Sequence, residues 1–483
     1  MKKSTIKKNY LYNLMYQMLV LLTPFITTPY LSRILEPDGV GIASYISSIE
    51  SYFCLFATLG LTTFGQREIS YVQDNPKERT QIFWEVVSIQ FCSSIVAIFV
   101  YIIYSLNQTN KSLFLVLVFN LFSTMINVTW FFQGIEQFQK IVLRNTICKL
   151  IGIAYVFLVI HNKEDLILYM AGTVVMDFIS NISLWFYLPM YISNPLTCTI
   201  RPWRHLKSVI SLFIPTIAIQ IYTVLDKTMV GAITKNSFEN GYYEQAMKIS
   251  KMGLSFVTSL GTVMIPRIGY YFNRGEKETV KYYMYKAYRF VWFLGIPLCF
   301  GLIGICGNFV PWFLGEKFSC VVPILSILAF LVLSIGINNV TGVQYLIPTK
   351  RQNIFTITVV VGAIVNFLMN LVFIYYLKSI GAALASVIAE TLIAVIQLFI
   401  IRKELSTTII IKSAWNYLCA GIIMLIAIKL TDRFLCPSFM HTILMILEGA
   451  TIYFSILLLL KDDFFIDNIK QLVRVFLKLI RKG

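Results

Sequence analysis

Stretches of about 20 apolar residues, the length a helix needs to cross the hydrocarbon core of a bilayer, recur along the whole of this 483-residue chain. Short polar breaks separate them. Fourteen can be drawn, at roughly 10–33, 41–64, 83–105, 112–133, 141–160, 165–187, 207–233, 242–272, 284–307, 320–346, 353–376, 379–401, 413–430 and 440–460, and are numbered here as spans 1 to 14. A water-soluble fold has no way to hide so many. Hydrophobic residues make up 57% of the chain and charged ones 13%, about half the charged share of an ordinary globular protein. The expected fold class is therefore all-α: a polytopic membrane protein of about 14 transmembrane helices.

Charge placement tests that count, because cytoplasmic loops collect Lys and Arg. With the N-terminus inside, the inner segments carry 29 basic residues and the outer ones only 8, namely Arg33, Lys111, Lys163, Lys235, Lys317, Lys378, Lys429 and Arg433. The bias alternates loop by loop, and an error early in the chain would scramble it. Both termini are expected in the cytoplasm. The start, with Lys2, Lys3, Lys7 and Lys8, is like a signal-peptide head, but the apolar stretch behind it is too long and has no small-residue cleavage site. Span 1 is expected to be retained.

The same charge excludes other classes. A formal +17 on a soluble protein would suggest nucleic acid. Here the basic residues sit mostly in short loops, where they set topology, and no nucleic-acid partner is expected. The nine cysteines include no C-x-x-C pair, and the three histidines are scattered. Neither a disulfide framework nor a metal site is indicated. There is no Walker loop, G-x-G-x-x-G or G-x-S-x-G, so no cofactor and no ATP hydrolysis are expected. The outer loops are short, about a dozen residues at most, which leaves little room for an extramembrane catalytic centre.

The connection at 188–206 contains Pro189, Pro195 and Pro202 and divides the chain after span 6. The expected organisation is an N-terminal six-helix lobe over 1–188, a cytoplasmic linker over 189–206 and a second six-helix lobe over 207–402. Spans 13 and 14 follow over 403–483, with a basic tail from about Ile466. The lobes show weak self-similarity. Pro24 in span 1 matches Pro215 in span 7, and each is followed, past a polar stretch, by glycine (Gly39 and Gly41; Gly241). Matching Pro-interrupted helices in two halves point to a transporter binding site.

Ionisable residues inside spans are costly and tend to mark function. Asp226 and Lys227 on span 7 lie about 10 Å below its outer end at 1.5 Å per residue. On span 8, Glu244, Lys248 and Lys251 are spaced 4 and 3 apart, so they share a face, and Lys251 lies about 13 Å deep. Glu50 on span 2 is at a similar depth. Together they would make a cationic layer fit for a phosphate-bearing head group. The competing account pairs Glu244 with Lys248 and lets the lysines snorkel. Asp177 with Ser180 and Asn181 on span 6, and Lys149 on span 5, suggest an interhelical ion pair or a coupling site. Glu390 on span 12, with Asn338, Asn339, Asn366 and Asn370 on spans 10 and 11, is either neutral and hydrogen-bonded or a proton or sodium site.

Several motifs resemble the polysaccharide repeat-unit flippases called Wzx: Leu31-Ser32-Arg33-Ile34-Leu35-Glu36-Pro37-Asp38-Gly39-Val40-Gly41, Gly65-Gln66-Arg67-Glu68-Ile69, Asp226-Lys227-Thr228-Met229-Val230-Gly231, Asn240-Gly241-Tyr242-Tyr243-Glu244-Gln245-Ala246-Met247-Lys248 and Ile265-Pro266-Arg267. The likeness in helix pattern runs over essentially the whole chain. It implies the fold shared by MATE drug exporters and the lipid II flippase MurJ, with a cavity lined by spans 1, 2, 7 and 8. It implies as substrate an undecaprenyl-diphosphate-linked O-antigen, capsule or exopolysaccharide unit, carried across the bacterial inner membrane by alternating access. It also implies H+ or Na+ coupling or use of the membrane potential, membrane lipid beside spans 13 and 14, and a polysaccharide polymerase as a partner. Arg33 joins the substrate-contacting candidates, and Arg67, Glu68 and Glu244 the gating or coupling ones. A MATE-type drug or cation antiporter and a MurJ-like lipid II flippase are the rival readings, with a membrane glycan polymerase further off. Three intramembrane lysines argue against a cation exporter, and no enzymatic activity is expected.

Overall fold

The computed structural model describes residues 6–193, 200–259, 261–468 and 470, and every regular element among them is helical. Among the described residues, ten helical stretches are long and apolar enough to cross a membrane. Two of them, Gln17–Tyr71 with 55 residues and Gln352–Ile401 with 50, are about twice the length that one crossing uses. Each holds two crossings. Helix α1 (Ile6–Thr58) breaks at Glu36, which takes a left-handed φ of 57°. The cause is local: Pro37 follows, and proline disfavours the helical conformation in the residue before it. Helix α2 (Leu61–Tyr71) continues span 2. Span 3 is α3 (Pro76–Leu106), and span 4 is split into α4 (Lys111–Met125) and α5 (Thr129–Gly134). Spans 5, 6 and 7 are α6 (Phe138–Val159), α7 (Leu166–Trp185) and α8 (Leu206–Thr234). Span 8 starts earlier than expected, as α9 (Ser237–Thr258), and resumes as α10 (Gly261–Asn273). With these the described residues hold the fourteen crossings expected, and the protein is a multi-pass membrane protein.

Span 9 is α11 (Lys277–Leu314). Span 10, expected as one helix, is three pieces: α12 (Val321–Leu328), α13 (Leu331–Asn338) and a π-helical turn over Asn339–Leu346. Such wide turns are rare and concentrate at functional sites. Helix α14 (Gln352–Ile401) breaks at Lys378, with a φ of 53°, and carries spans 11 and 12. Gly381 sits where a Cβ would come 2.1 Å from the Phe373 carbonyl oxygen, so glycine is what lets this turn close. A short α15 (Thr407–Lys412) precedes α16 (Trp415–Asp432) and α17 (Phe439–Leu459), which are spans 13 and 14. The tail beyond residue 470 lies outside the described residues.

The chain forms two compact units, Met1–Gly241 and Tyr242–Gly483. In the first, buried rings of Phe83, Trp130, Phe131 and Phe132 pack where α2, α3 and α5 meet. Gly65 makes room: a Cβ there would lie 2.5 Å from the Trp130 ring. The half-buried end of α4 would leave carbonyl groups without helical partners. Gln90 of α3 prevents this by donating its amide to the carbonyls of Thr124, Met125 and Asn127, at 2.8 to 3.1 Å. Trp185 donates to Ile126 O at 2.7 Å.

The connection at 188–206 is strapped to α3 at both ends. Arg79 donates to Tyr191 O at 2.6 Å, and Trp84 to Ser193 O. Glu85, fully buried, accepts from the Arg201 backbone, from Arg204 at 2.6 Å and from His205 at 2.8 Å. Pro195 lies outside the described residues. In the second unit, α16 and α17 pack on α11, with Gly304 fitted against Ile428. Arg289 pairs with buried Asp462 at 3.2 Å, and Tyr417 donates to the same carboxylate at 3.0 Å.

Candidate functional site

Within the first unit, the turn after span 1 meets the turn between α8 and α9. Both are sharp: Glu36 and Lys235 each adopt a left-handed conformation. Past the turns the backbones touch. A Cβ on Gly41 would lie 1.8 Å from the Ser237 carbonyl oxygen, and one on Gly241 would lie 2.0 Å from that of Pro37. Polar contacts complete the seal. Ser237 donates to the Asp38 carboxylate, and Lys163, from the connection between α6 and α7, lies 3.5 Å from Asp38 and 3.6 Å from Glu36. One turn further along, Gly231 is pressed against the Tyr45 ring. Thr228 then bonds Ser48 at 3.0 Å and Tyr52 at 3.1 Å. The two glycine stretches that read as a repeat along the chain are thus face to face.

Glu50 is buried beside this seam. Its carboxylate accepts from Asn120 at 3.0 Å and from the Cys54 thiol at 2.6 Å. Among the described residues no Lys or Arg nitrogen comes within 4 Å of it. Asp226 is buried and Lys227 half-buried on α8. Glu244, Lys248 and Lys251 lie on α9 in the second unit. The opposite face of α9 is packed: Tyr243 bonds Ser386 at 3.1 Å, and Ser250 donates to Leu328 O at 2.8 Å. Lys251 is exposed, and Glu244 and Lys248 are half-buried.

Arg33 is exposed. Arg67 pairs with its neighbour Glu68 at 2.9 Å and lies over the Phe64 ring. Glu390 is buried, and Asn338 of span 10 reaches it, donating to both its backbone oxygen, at 3.1 Å, and its carboxylate. Asn339 bonds Gln344, and Asn370 bonds Asn366. Lys149 and Asp177 do not form the ion pair that their spans suggested: no contact within 4 Å joins them among the described residues. They line a cavity of about 350 Å³ between α1, α6 and α7, together with Thr23, Thr27 and Asn145.

Two polar centres gave no signal in the sequence. Glu85 reads as one carboxylate within a long apolar helix; besides Gln81, one turn before it, its partners Arg201, Arg204 and His205 lie more than 100 residues away. Glu404, in the connection after α14, is held by Arg351 through two bonds of 2.7 and 2.9 Å and by Tyr345 at 2.5 Å. Partial burial works against its ionisation, but the bonds from Tyr345 and Arg351 outweigh it and keep the carboxyl below its usual value.

A family profile described as polysaccharide biosynthesis protein matches residues 6–272, more than half of the chain. The chain belongs to the polysaccharide biosynthesis protein family. Two relatives to which O-antigen transport is ascribed extend the likeness. One, from Shigella dysenteriae, is 22% identical over 386 residues, 78% of this chain and 95% of its own length. The other, from Escherichia coli strain K12, is 23% identical over 421 residues, 83% of this chain and 98% of its own. Among solved structures, the lipid II flippase MurJ in an inward closed conformation has a TM-score of 0.70 at 17% identity, covering 94% of this chain and 99% of that one. An inward-facing multidrug resistance MATE transporter has a TM-score of 0.62 at 12% identity, covering 86% of this chain and 96% of that one. This family member thus has the fold that its motifs implied.

Proposed function

We propose that this protein is a flippase that carries an undecaprenyl-diphosphate-linked oligosaccharide repeat unit across the bacterial inner membrane by alternating access. The observation that carries the reading is the near-full-length similarity to two O-antigen transporters, inside a polysaccharide biosynthesis family. The MurJ-like fold supports movement of a lipid-linked head group. A MATE-type cation exporter is disfavoured by Lys227, Lys248 and Lys251, which would repel its cargo. These lysines, with Asp226, Glu50 and Arg33, are assigned to the diphosphate head. Glu390, Asp177, Lys149, Glu244, Arg67 and Glu68 are the gating or coupling candidates, with H+ or Na+ as the coupled ion. The lobes are assigned to 1–188 and 207–402, joined by a cytoplasmic 189–206, with both termini inside. A polysaccharide polymerase would consume the exported unit. The carrier itself does no covalent chemistry in this reading.

Deletion of the gene tests the reading. Surface glycan should be lost, and lipid-linked repeat units should build up on the inner leaflet. Unchanged surface glycan in a strain without another flippase would refute it.

A further inference from the structure

The geometry points to the cavity between α1, α6 and α7 as a saccharide subsite, holding a single sugar ring of the transported glycan. The inference rests on the flippase reading, but it moves Asp177 and Lys149 from the coupling set to the cargo's path, away from the lysines assigned to the diphosphate.

Size comes first. About 350 Å³ is at the small end of the range for small-molecule sites, roughly 300–1,000 Å³. It admits one ring and no complete repeat unit. Charge comes next. One ammonium, Lys149, and one carboxylate, Asp177, face the same space without pairing at 4 Å. Opposite charges that balance but do not touch suit a ligand that is neutral and both donates and accepts. A diphosphate would be repelled by Asp177, and an organic cation by Lys149.

The remaining polar groups fit the same chemistry. Asn145 uses its carbonyl oxygen on Arg144, at 2.7 and 2.9 Å, which leaves its amide nitrogen as a donor. Thr23 and Thr27 donate to carbonyls of their own helix, at 2.7 and 3.1 Å, so each hydroxyl oxygen retains acceptor capacity. Vicinal sugar hydroxyls both donate and accept, and would satisfy all of these at once. Rings supply the apolar part: Tyr155 and Tyr169 line the cavity. Tyr155 is set in place by its hydroxyl, which donates to Leu168 O at 2.8 Å, and by Gly172, where a Cβ would fall 2.0 Å from the ring. On 1.5 Å per residue, Asp177 lies about 17 Å from the outer end of α7. Ionisable groups so deep line cavities or pathways far more often than they face lipid.

Cys148 lines the same cavity and is a free thiol, so the unmodified protein carries its own reporter. Purified protein in nanodiscs is treated with N-ethylmaleimide, and the Cys148 peptide is followed by mass spectrometry, with exposed Cys92 as the reference. Three probes are compared: the free oligosaccharide released by mild acid from the strain's own lipid-linked unit, undecaprenyl monophosphate, and sodium chloride. The oligosaccharide, at about ten times its Kd, should slow Cys148 labelling about tenfold and leave Cys92 unchanged. The other two probes should do neither. Asp177→Asn and Lys149→Gln should weaken the protection, read in each variant as the ratio of labelling rates without and with oligosaccharide, which cancels any change in the thiol's own reactivity. Labelling that the oligosaccharide does not slow, or that prenyl phosphate or sodium slows equally, overturns the subsite. The flippase reading fails by a different result, an unaltered surface glycan in the deletion strain.

Discussion

Replacing Gly41 by alanine should open the seam where Pro37–Gly41 meets Ser237–Gly241 in the first unit. The added methyl would lie 1.8 Å from the Ser237 carbonyl oxygen and 2.8 Å from the Gly241 nitrogen. Both are backbone atoms of α9, so no side chain can swing aside. The helices must separate by more than an ångström, or the closed seam is lost. Overpacking of this kind costs about 1–3 kcal/mol, which is roughly a 5- to 150-fold shift between closed and open seam at 1.4 kcal/mol per tenfold. In the alternating-access reading the open state loses this contact and bears none of the cost. Ser48, buried behind the seam, is a natural reporter. With Ser48→Cys in a background lacking other reactive thiols, a membrane-impermeant maleimide added outside should label slowly when Gly41 is present. It should label about tenfold faster or more with Gly41→Ala. Surface glycan in the complemented deletion strain should fall, with the protein still present in the membrane. Gly241→Ala, whose methyl would meet Pro37 O at 2.0 Å, should act alike. The two together should cost less than their sum, because they spoil one contact. Unchanged labelling and export in both single variants, at normal protein levels, would refute the idea that this contact holds the seam shut.

Gln90→Leu removes the donor for three carbonyls at the half-buried end of α4. At about 0.5–1.5 kcal/mol per hydrogen bond lost, it should lower the midpoint of thermal unfolding in detergent by a few degrees, and an unchanged midpoint would discard the capping role. Lys227→Ala, Lys248→Ala and Lys251→Ala should each reduce export without reducing membrane insertion, while Arg retains more activity and Glu is worst. Full export by the triple Gln variant would eliminate the cationic layer. Glu404 titrates low in the folded protein, so its contribution is present above the unfolded carboxyl value of about 4.3 and fades as pH falls through the lower folded value. Glu404→Gln should therefore flatten the stability profile on the acid side of about pH 4.3, measured by thermal unfolding across pH. An unaltered acid limb would count against the Arg351–Glu404 pair.

The fourteen crossings were legible in the sequence because a helix inserts on the strength of its own residues. Hydrocarbon thickness sets its length, and loop charge sets its direction. Even the break at Glu36 is local, since Pro37 follows it, although nothing so plain marks the break at Lys378. The pairing of polar groups was not legible. Asn338, Asn339, Asn366 and Asn370 were equal candidates for Glu390 until helix packing set Asn338 against it. Lys149 and Asp177 read as an ion pair and instead share a cavity. Glu85 gathers Arg201, Arg204 and His205 from a connection more than 100 residues on. Gly41 and Gly241, noticed first as echoes of one motif, are pressed together across the seam. Which faces meet depends on the tilt and rotation of helices that are each apolar nearly all round. Hydropathy carries almost no record of those angles; packing between helices decides them.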